Sequence, residues 1–157
     1  MKFGRNRYIR VMFPQLNYPQ CELRIQEKNG THLVWDDFRK KELVLTREEW
    51  VRQHIVHYLV NHLNYPKGRI VLEQTIKQNG MNKRCDVVVY NKMGNPELII
   101  ECKEPRVDIT EETFYQIARY NSVLQVPFLV MSNGISTIIC EVKNGNIEYL
   151  KEYPSIS

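Results

Sequence analysis

The sequence predicts a mixed α/β fold: a mixed central β-sheet flanked by helices, with an N-terminal β-hairpin extension. Three observations predict it. Two stretches, about 46–63 and 111–123, carry helical signals and are separated by strand-like runs. Three such runs, at 70–76, 84–90 and 97–103, follow the first helix, with a Gly94-containing turn between the last two. Asn29-Gly30 and Asn144-Gly145 each join stretches of alternating polarity, the strongest short-range hairpin signal. With 157 residues the chain is one domain's worth, long enough to bury a core. It is read as one domain over 1–157: a β extension over 1–45, a core over 46–134 and a C-terminal β-hairpin over 135–157.

Each element has a local reason. Residues 21–26 and 31–35 alternate around Asn29-Gly30, and 43–45 adds a short strand. Thr46-Arg47-Glu48-Glu49 reads as a capping box, in which Thr46 accepts from the backbone near Glu49 and Glu49 reaches back. The helix that follows has an apolar stripe of Val51, Ile55, Tyr58, Leu59 and Leu63, and Asn64-Tyr65-Pro66 with Gly68 ends it. The runs at 84–90 and 97–103 are expected to pair as an antiparallel hairpin. A second helix spans about 111–123, with Asp108 or Thr110 near its cap. Residues 127–131 form a buried strand, and 137–142 with 147–153 form the last hairpin.

Composition narrows the function classes. Hydrophobic content of 43% and charged content of 25% are those of an ordinary globular protein. No apolar run approaches the roughly 20 residues of a membrane span. The basic N-terminus has no apolar h-region and no cleavage site, so a cytoplasmic protein without membrane contact is expected. Cys21, Cys85, Cys102 and Cys140 are widely spaced with no CxxC pair, which favours reduced, mostly buried thiols. The net charge of +4 is compatible with a polyanionic partner. It is concentrated in Lys2, Arg5, Arg7 and Arg10 and in Arg39-Lys40-Lys41, each cluster reading by itself as a solvated face. There is no GxxxxGK[ST] phosphate loop and no GxGxxG, so no ATP-driven motor is expected here.

The informative stretch is Arg84-Cys85-Asp86-Val87-Val88-Val89-Tyr90, a turn, and Leu98-Ile99-Ile100-Glu101-Cys102-Lys103. On a strand, Glu101 and Lys103 point to one face and Cys102 to the other. In an antiparallel pair the start of one strand lies beside the end of the next, so Asp86 comes close to both. Clustered carboxylates repel, and unpaired charge beside apolar strands is costly. A hard cation such as magnesium relieves this with one or two carboxylates, waters and substrate phosphate. Asp86 and Glu101 are therefore read as metal ligands. The metal can activate water and neutralise phosphate charge, while Lys103 holds the attacking water and stabilises developing charge. The bland alternative is a Glu–Lys pair on a strand with an unrelated Asp nearby.

These residues resemble the PD-(D/E)XK nuclease superfamily, whose core is a helix, a three-stranded meander, a helix and a further strand. More specifically, 46–134 resembles the N-terminal nuclease domain of type I restriction enzyme R subunits. The phrases REEWVRQHIV, RCDVVVYN, LIIECKEP and FYQIARYN carry the likeness. It implies a restriction-endonuclease-like core, with Asp86 and Glu101 binding Mg2+ (Mn2+ a substitute) and Lys103 serving the water. The position before the acid is Cys85 rather than Pro, a position that varies in the superfamily. The resemblance also implies a Gln-x-x-x-Tyr element, matched by Gln116 and Tyr120, which share one helical face and would contact DNA. The absence of a motor motif departs from full-length restriction subunits and would put any motor or methylase partner on another chain.

Three further positions are singled out. Counting 100° per residue puts Glu48 within the stripe of Val51, Ile55 and Leu59 and Glu49 well aside. Glu48 is read as an active-site acid, with macrodipole compensation as the alternative, and Glu49 as the capping partner. Glu73 is read as a solvated outer-face residue, with a peripheral acid near the metal as the alternative. His54 and His57 lack a completing acid and read as surface or satisfied histidines. The expected function is magnesium-dependent, endonuclease-like hydrolysis of DNA, with homodimerisation by analogy alone. A nucleic-acid-binding module and a protein-interaction module are the alternatives.

Overall fold

The structure, a computed structural model, describes residues 13–157. The basic cluster of Lys2, Arg5, Arg7 and Arg10 lies outside them. In order, the elements are β1 (Ile25–Lys28), β2 (Thr31–Asp36), β3 (Lys41–Val44), α1 (Arg47–Asn61), a 3-10 turn (Lys67–Arg69), β4 (Ile70–Gln78), β5 (Met81–Tyr90), β6 (Pro96–Cys102), α2 (Glu111–Leu124), β7 (Phe128–Ser132), β8 (Thr137–Lys143) and β9 (Asn146–Leu150). The fold is mixed α/β. The N-terminal extension is a three-stranded antiparallel sheet, the expected hairpin with the short third strand added, and β4 to β9 form a six-stranded sheet in sequence order. That sheet is mixed because β6 and β7 run parallel. A parallel pair needs a crossover, and α2 supplies it.

The alternation of β6 sets the layers. Leu98, Ile100 and Cys102 pack with Val51, Ile55, Val56 and Leu59 of α1. Ile99 packs on the other face with Phe114, Ala118 and Leu124 of α2. The helices therefore cover opposite faces of the sheet. Each fully buried aliphatic or aromatic side chain here contributes about 1.5–3 kcal/mol.

Three differences from the expected elements have local causes. β1 begins at Ile25, not at residue 21. Its partner β2 ends at Asp36, whose Oδ1 accepts from the N–H groups of Phe38 (2.7 Å) and Arg39 (2.8 Å) and turns the chain away. β4 and β5 are longer than expected and meet in a hairpin across Asn79 (φ 52°) and Gly80 (φ 76°), the doubly left-handed turn that favours Asn-Gly. The run 77–84, polar apart from Gly80 and Met81, hides that hairpin from apolar periodicity. Finally, only half of the capping box forms. Thr46 Oγ1 accepts from Glu49 N at 3.0 Å, whereas the Glu49 side chain turns inward to other partners.

α2 is capped by Thr110, whose Oγ1 accepts from Thr113 N at 3.2 Å, and Gln125 (φ 56°) ends it in the left-handed region. The four cysteines are free thiols, three of them buried. Among the described residues no helix is long and apolar enough to cross a membrane.

Candidate active site

β5 and β6 pair from Val89↔Leu98 to Val87↔Ile100. One step further, Asp86 would face Glu101, and there the ladder gives way. Asp86 Oδ2 instead accepts from Cys102 N at 2.8 Å, so the carboxylate sits between the two strand ends. Glu101 is close enough to Asp86 to feel its charge. Lys103 follows β6 directly, its N–H bonded to Ser132 O of β7 at 2.9 Å. The Lys103 side chain is half-buried, and among the described residues its Nζ has no ion pair or hydrogen bond. Glu48, in the first turn of α1, is close enough to feel the charges of Asp86, Arg52 and Lys103. Four of the residues singled out in the sequence thus gather at one end of the sheet.

Crowding of acids shows in their proton affinities. Burial and the neighbouring Asp86 raise the Glu101 carboxyl above its ordinary range, against Lys83, whose Nζ lies 2.5 Å from Glu101 Oε1. Burial and Asp86 also raise Glu48, against Arg52 and Lys103. The cysteines beside the acids are poor nucleophiles. Burial pushes Cys85 up to about 12 and Cys102 well above its ordinary value.

The acids are not left alone. Arg52 Nη2 donates to Asp86 Oδ1 (3.0 Å) and Glu48 Oε1 (2.9 Å), and Arg52 Nη1 donates to Glu49. Glu49 also accepts from Arg39 and from Gln53 Nε2 (2.9 Å). Arg39 continues to Asp36 (2.5 Å) and to Glu73 Oε2 (2.9 Å). These partners correct four expectations. Glu49, 4% exposed, is the buried acid of α1, while the Glu48 side chain is 44% exposed. The buried sector of α1 is wider than its apolar stripe, because the N-terminal sheet covers a second flank. Arg39 is not on a solvated face; its side chain is 11% exposed. Glu73 is half-buried rather than solvated, and it sits opposite Asp86 between the pairs Leu72↔Val87 and Gln74↔Cys85, with φ 52°. Burial raises the Glu73 carboxyl, but Arg39, Arg52 and Arg84 more than offset this and hold it below its ordinary value.

Apolar periodicity could not find Arg52, Lys83 and Arg39. One signal was present: Glu49, Arg52 and Gln53 at i, i+3 and i+4 make a polar stripe on a helix whose neighbouring stripe is core. His54 is satisfied, with Nδ1 2.8 Å from Trp50 O, and His57 stands edge-on to Phe38. Gln116 is exposed on α2 and, among the described residues, makes no hydrogen bond to the acids. The Tyr120 side chain lies outside the described residues.

The family model of the type I restriction enzyme R protein N terminus (HSDR_N) matches residues 47–156. The chain belongs to this family. It is also similar to a fragment structure assigned provisionally to an HsdR subunit of a type I restriction enzyme from Vibrio vulnificus YJ016. The two are 20% identical with a TM-score of 0.38, over 55% of this chain and 17% of that one. The chain therefore spans about a sixth of that solved relative. No curated protein matches. The HSDR_N match begins at α1, so β1 to β3, and with them Asp36 and Arg39, precede it.

The donor chemistry of this HSDR_N site can be tested against a divalent cation. Among the described residues there is no group of three or more His, Cys, Asp or Glu able to hold a metal. Asp86 and Glu101 form a two-carboxylate set, which suits magnesium, a cation that keeps several waters and uses one or two protein carboxylates. Each carboxylate oxygen has two lone pairs, so the bonds from Arg52 and Cys102 N leave Asp86 with acceptor capacity.

Proposed function

We propose that this domain hydrolyses DNA phosphodiester bonds in the cytoplasm as a magnesium-dependent, endonuclease-like enzyme on a restriction-endonuclease-like core. The observation that carries the proposal is the half-buried Lys103, free of ion pairs among the described residues, beside the Asp86–Glu101 pair at the end of β6. Membership of the type I restriction R protein family supports DNA as the substrate and other subunits of such a system as partners. Self-association to cut both strands would be an addition to this reading.

Asp86 and Glu101 would hold Mg2+, with Mn2+ as a substitute; when bound, the ion neutralises charge at the scissile phosphate. Glu101 sets one carboxylate edge of the site and Asp86 the other, held by Arg52 and Cys102 N. Lys103 donates to the attacking water and then to the anionic oxygens of the five-coordinate phosphorus. Water adds, the bond to the leaving sugar oxygen breaks, and that oxygen takes up a proton. Glu48 orients water at the rim, its raised carboxyl suited to passing a proton. Gln116 and Tyr120 on α2 would touch the DNA.

Incubating supercoiled plasmid with the protein and Mg2+ tests this. Nicked and linear products are expected, absent in Asp86→Ala and Lys103→Ala and in EDTA. Folded variants that cleave as well as wild type would overturn it. One observation favours a second reading, a DNA-binding module without turnover: Arg52 and Lys83 already neutralise the two carboxylates. Salt-dependent DNA binding with no cleavage in Mg2+ or Mn2+ would select that reading.

A further inference from the structure

We propose that the N-terminal sheet is a positioning part of the active site, acting through a relay of ion pairs from Asp36 and Arg39 to Glu49, Arg52 and Asp86. The inference rests on the nuclease reading above.

The relay is continuous and mostly hidden from water. Asp36 is fully buried at the end of β2 and holds Arg39 both through its backbone N–H and through Nε at 2.5 Å. Arg39 then presents Nη2 to Glu49 and Nη1 to Glu73 at 2.9 Å. Gln53 Nε2 ties the two acids together, 2.9 Å from Asp36 Oδ2 and 2.9 Å from Glu49 Oε1. Glu49 fixes Nη1 of Arg52, which leaves Nη2 aimed at Asp86 Oδ1, 3.0 Å away. Arg52 Nε is buried with no hydrogen-bond partner among the described residues. A guanidinium that leaves a buried donor unpaired while three nitrogen–oxygen bonds pin its other end is placed by its partners rather than by its own preference.

Geometry gives the relay its function. An Arg fork is planar and fixes the direction of each bond it makes, so a shift of Glu49 rotates Arg52 and moves the Asp86 carboxylate. Partners that hydrogen-bond a metal-ligating carboxylate commonly change metal affinity 10–100-fold. Arg39 reaches Asp86 only through two intermediaries. It touches neither the expected metal nor the expected substrate, and it lies outside the segment that matches the HSDR_N family. Arg39 and Arg52 are therefore positioning residues, and the β2–β3 turn is the arm that sets them.

The test compares charge-preserving variants by Mn2+ affinity, read from the EPR signal of free Mn2+, on the full chain with folding confirmed by circular dichroism. Arg52→Lys keeps the charge and loses the fork, and should weaken Mn2+ binding about 10–100-fold. Arg39→Lys should weaken it several-fold or more. The double variant should lose no more than Arg52→Lys alone, because both act through one carboxylate. If Arg39→Lys fails to fold, Asp36→Asn, which keeps the shape and the backbone acceptor, takes its place with the same expectation. Wild-type affinity in a folded Arg39→Lys or Asp36→Asn protein, even with a lowered melting temperature, would show a merely structural role and overturn the inference alone. Wild type that binds no Mn2+, or Asp86→Ala that binds it normally, would remove the nuclease reading and the relay's purpose with it.

Discussion

Replacing Arg52 by Met should destabilise the fold severely, and the structure sets the size of the effect. The Arg52 and Glu49 side chains are each 6% exposed, and Asp86 is 21% exposed. Removing one partner of a buried ion pair costs about 3–5 kcal/mol, because the remaining charge stays buried. Glu49 retains Arg39 and Gln53, which puts the loss near the lower bound. The Arg52–Glu48 pair, with Glu48 44% exposed, adds less than about 1 kcal/mol. A loss of about 3 kcal/mol lowers the melting temperature of a chain this long by roughly 6–12 °C. The double variant Glu49→Gln with Arg52→Met removes one of the acids that the single variant leaves short of a cation, so its loss should be smaller than the sum of the two single losses. Scanning calorimetry in EDTA, with urea denaturation as a second probe, measures both. A single variant melting within about 2 °C of wild type, or a double variant less stable than the sum of its parts, would refute this picture of α1.

Two further outcomes follow from the same packing. Burial raises the carboxyls of Asp36 and Glu73, yet Arg39 and its neighbours offset this and hold both below their ordinary values of 3.8 and 4.5. A depressed folded pKa contributes stability that is present above the unfolded value and lost as pH falls through the folded one. Urea midpoints should therefore fall steeply as pH drops below about 4.5, and Asp36→Asn should show a shallower decline. Gly134→Ala should destabilise by more than about 1 kcal/mol: its φ is +84°, and a Cβ there would stand 2.7 Å from Leu16 Cδ2. A melting temperature equal to wild type would contradict the close approach of residues 16 and 134.

Elements with a strong local signal were legible in the sequence. The Asn29-Gly30 and Asn144-Gly145 turns, both helices and the β5–β6 hairpin stand close to where pattern and turn chemistry put them. The gathering of Asp86, Glu101 and Lys103 followed from strand parity together with the antiparallel pairing of the two strands. The electrostatic interior was not legible. Arg39 reads as part of a basic surface run, and its burial depends on Asp36, Glu49 and Glu73, the last 34 positions away. Glu48 and Glu49 exchanged exposure because helical counting from one apolar stripe assumes one buried side, whereas α1 is covered on two. Lys83 sits in a polar hairpin that periodicity passes over, and its partner Glu101 is 18 residues on. Such contacts are set by tertiary packing, to which sequence spacing is blind.

Calorimetric titration of Mg2+ into the full chain, wild type beside Asp86→Ala, reaches the core of the account most directly. One site per chain that vanishes in the variant is the expected result. Equal heats from the two folded proteins would contradict a cation held between Asp86 and Glu101.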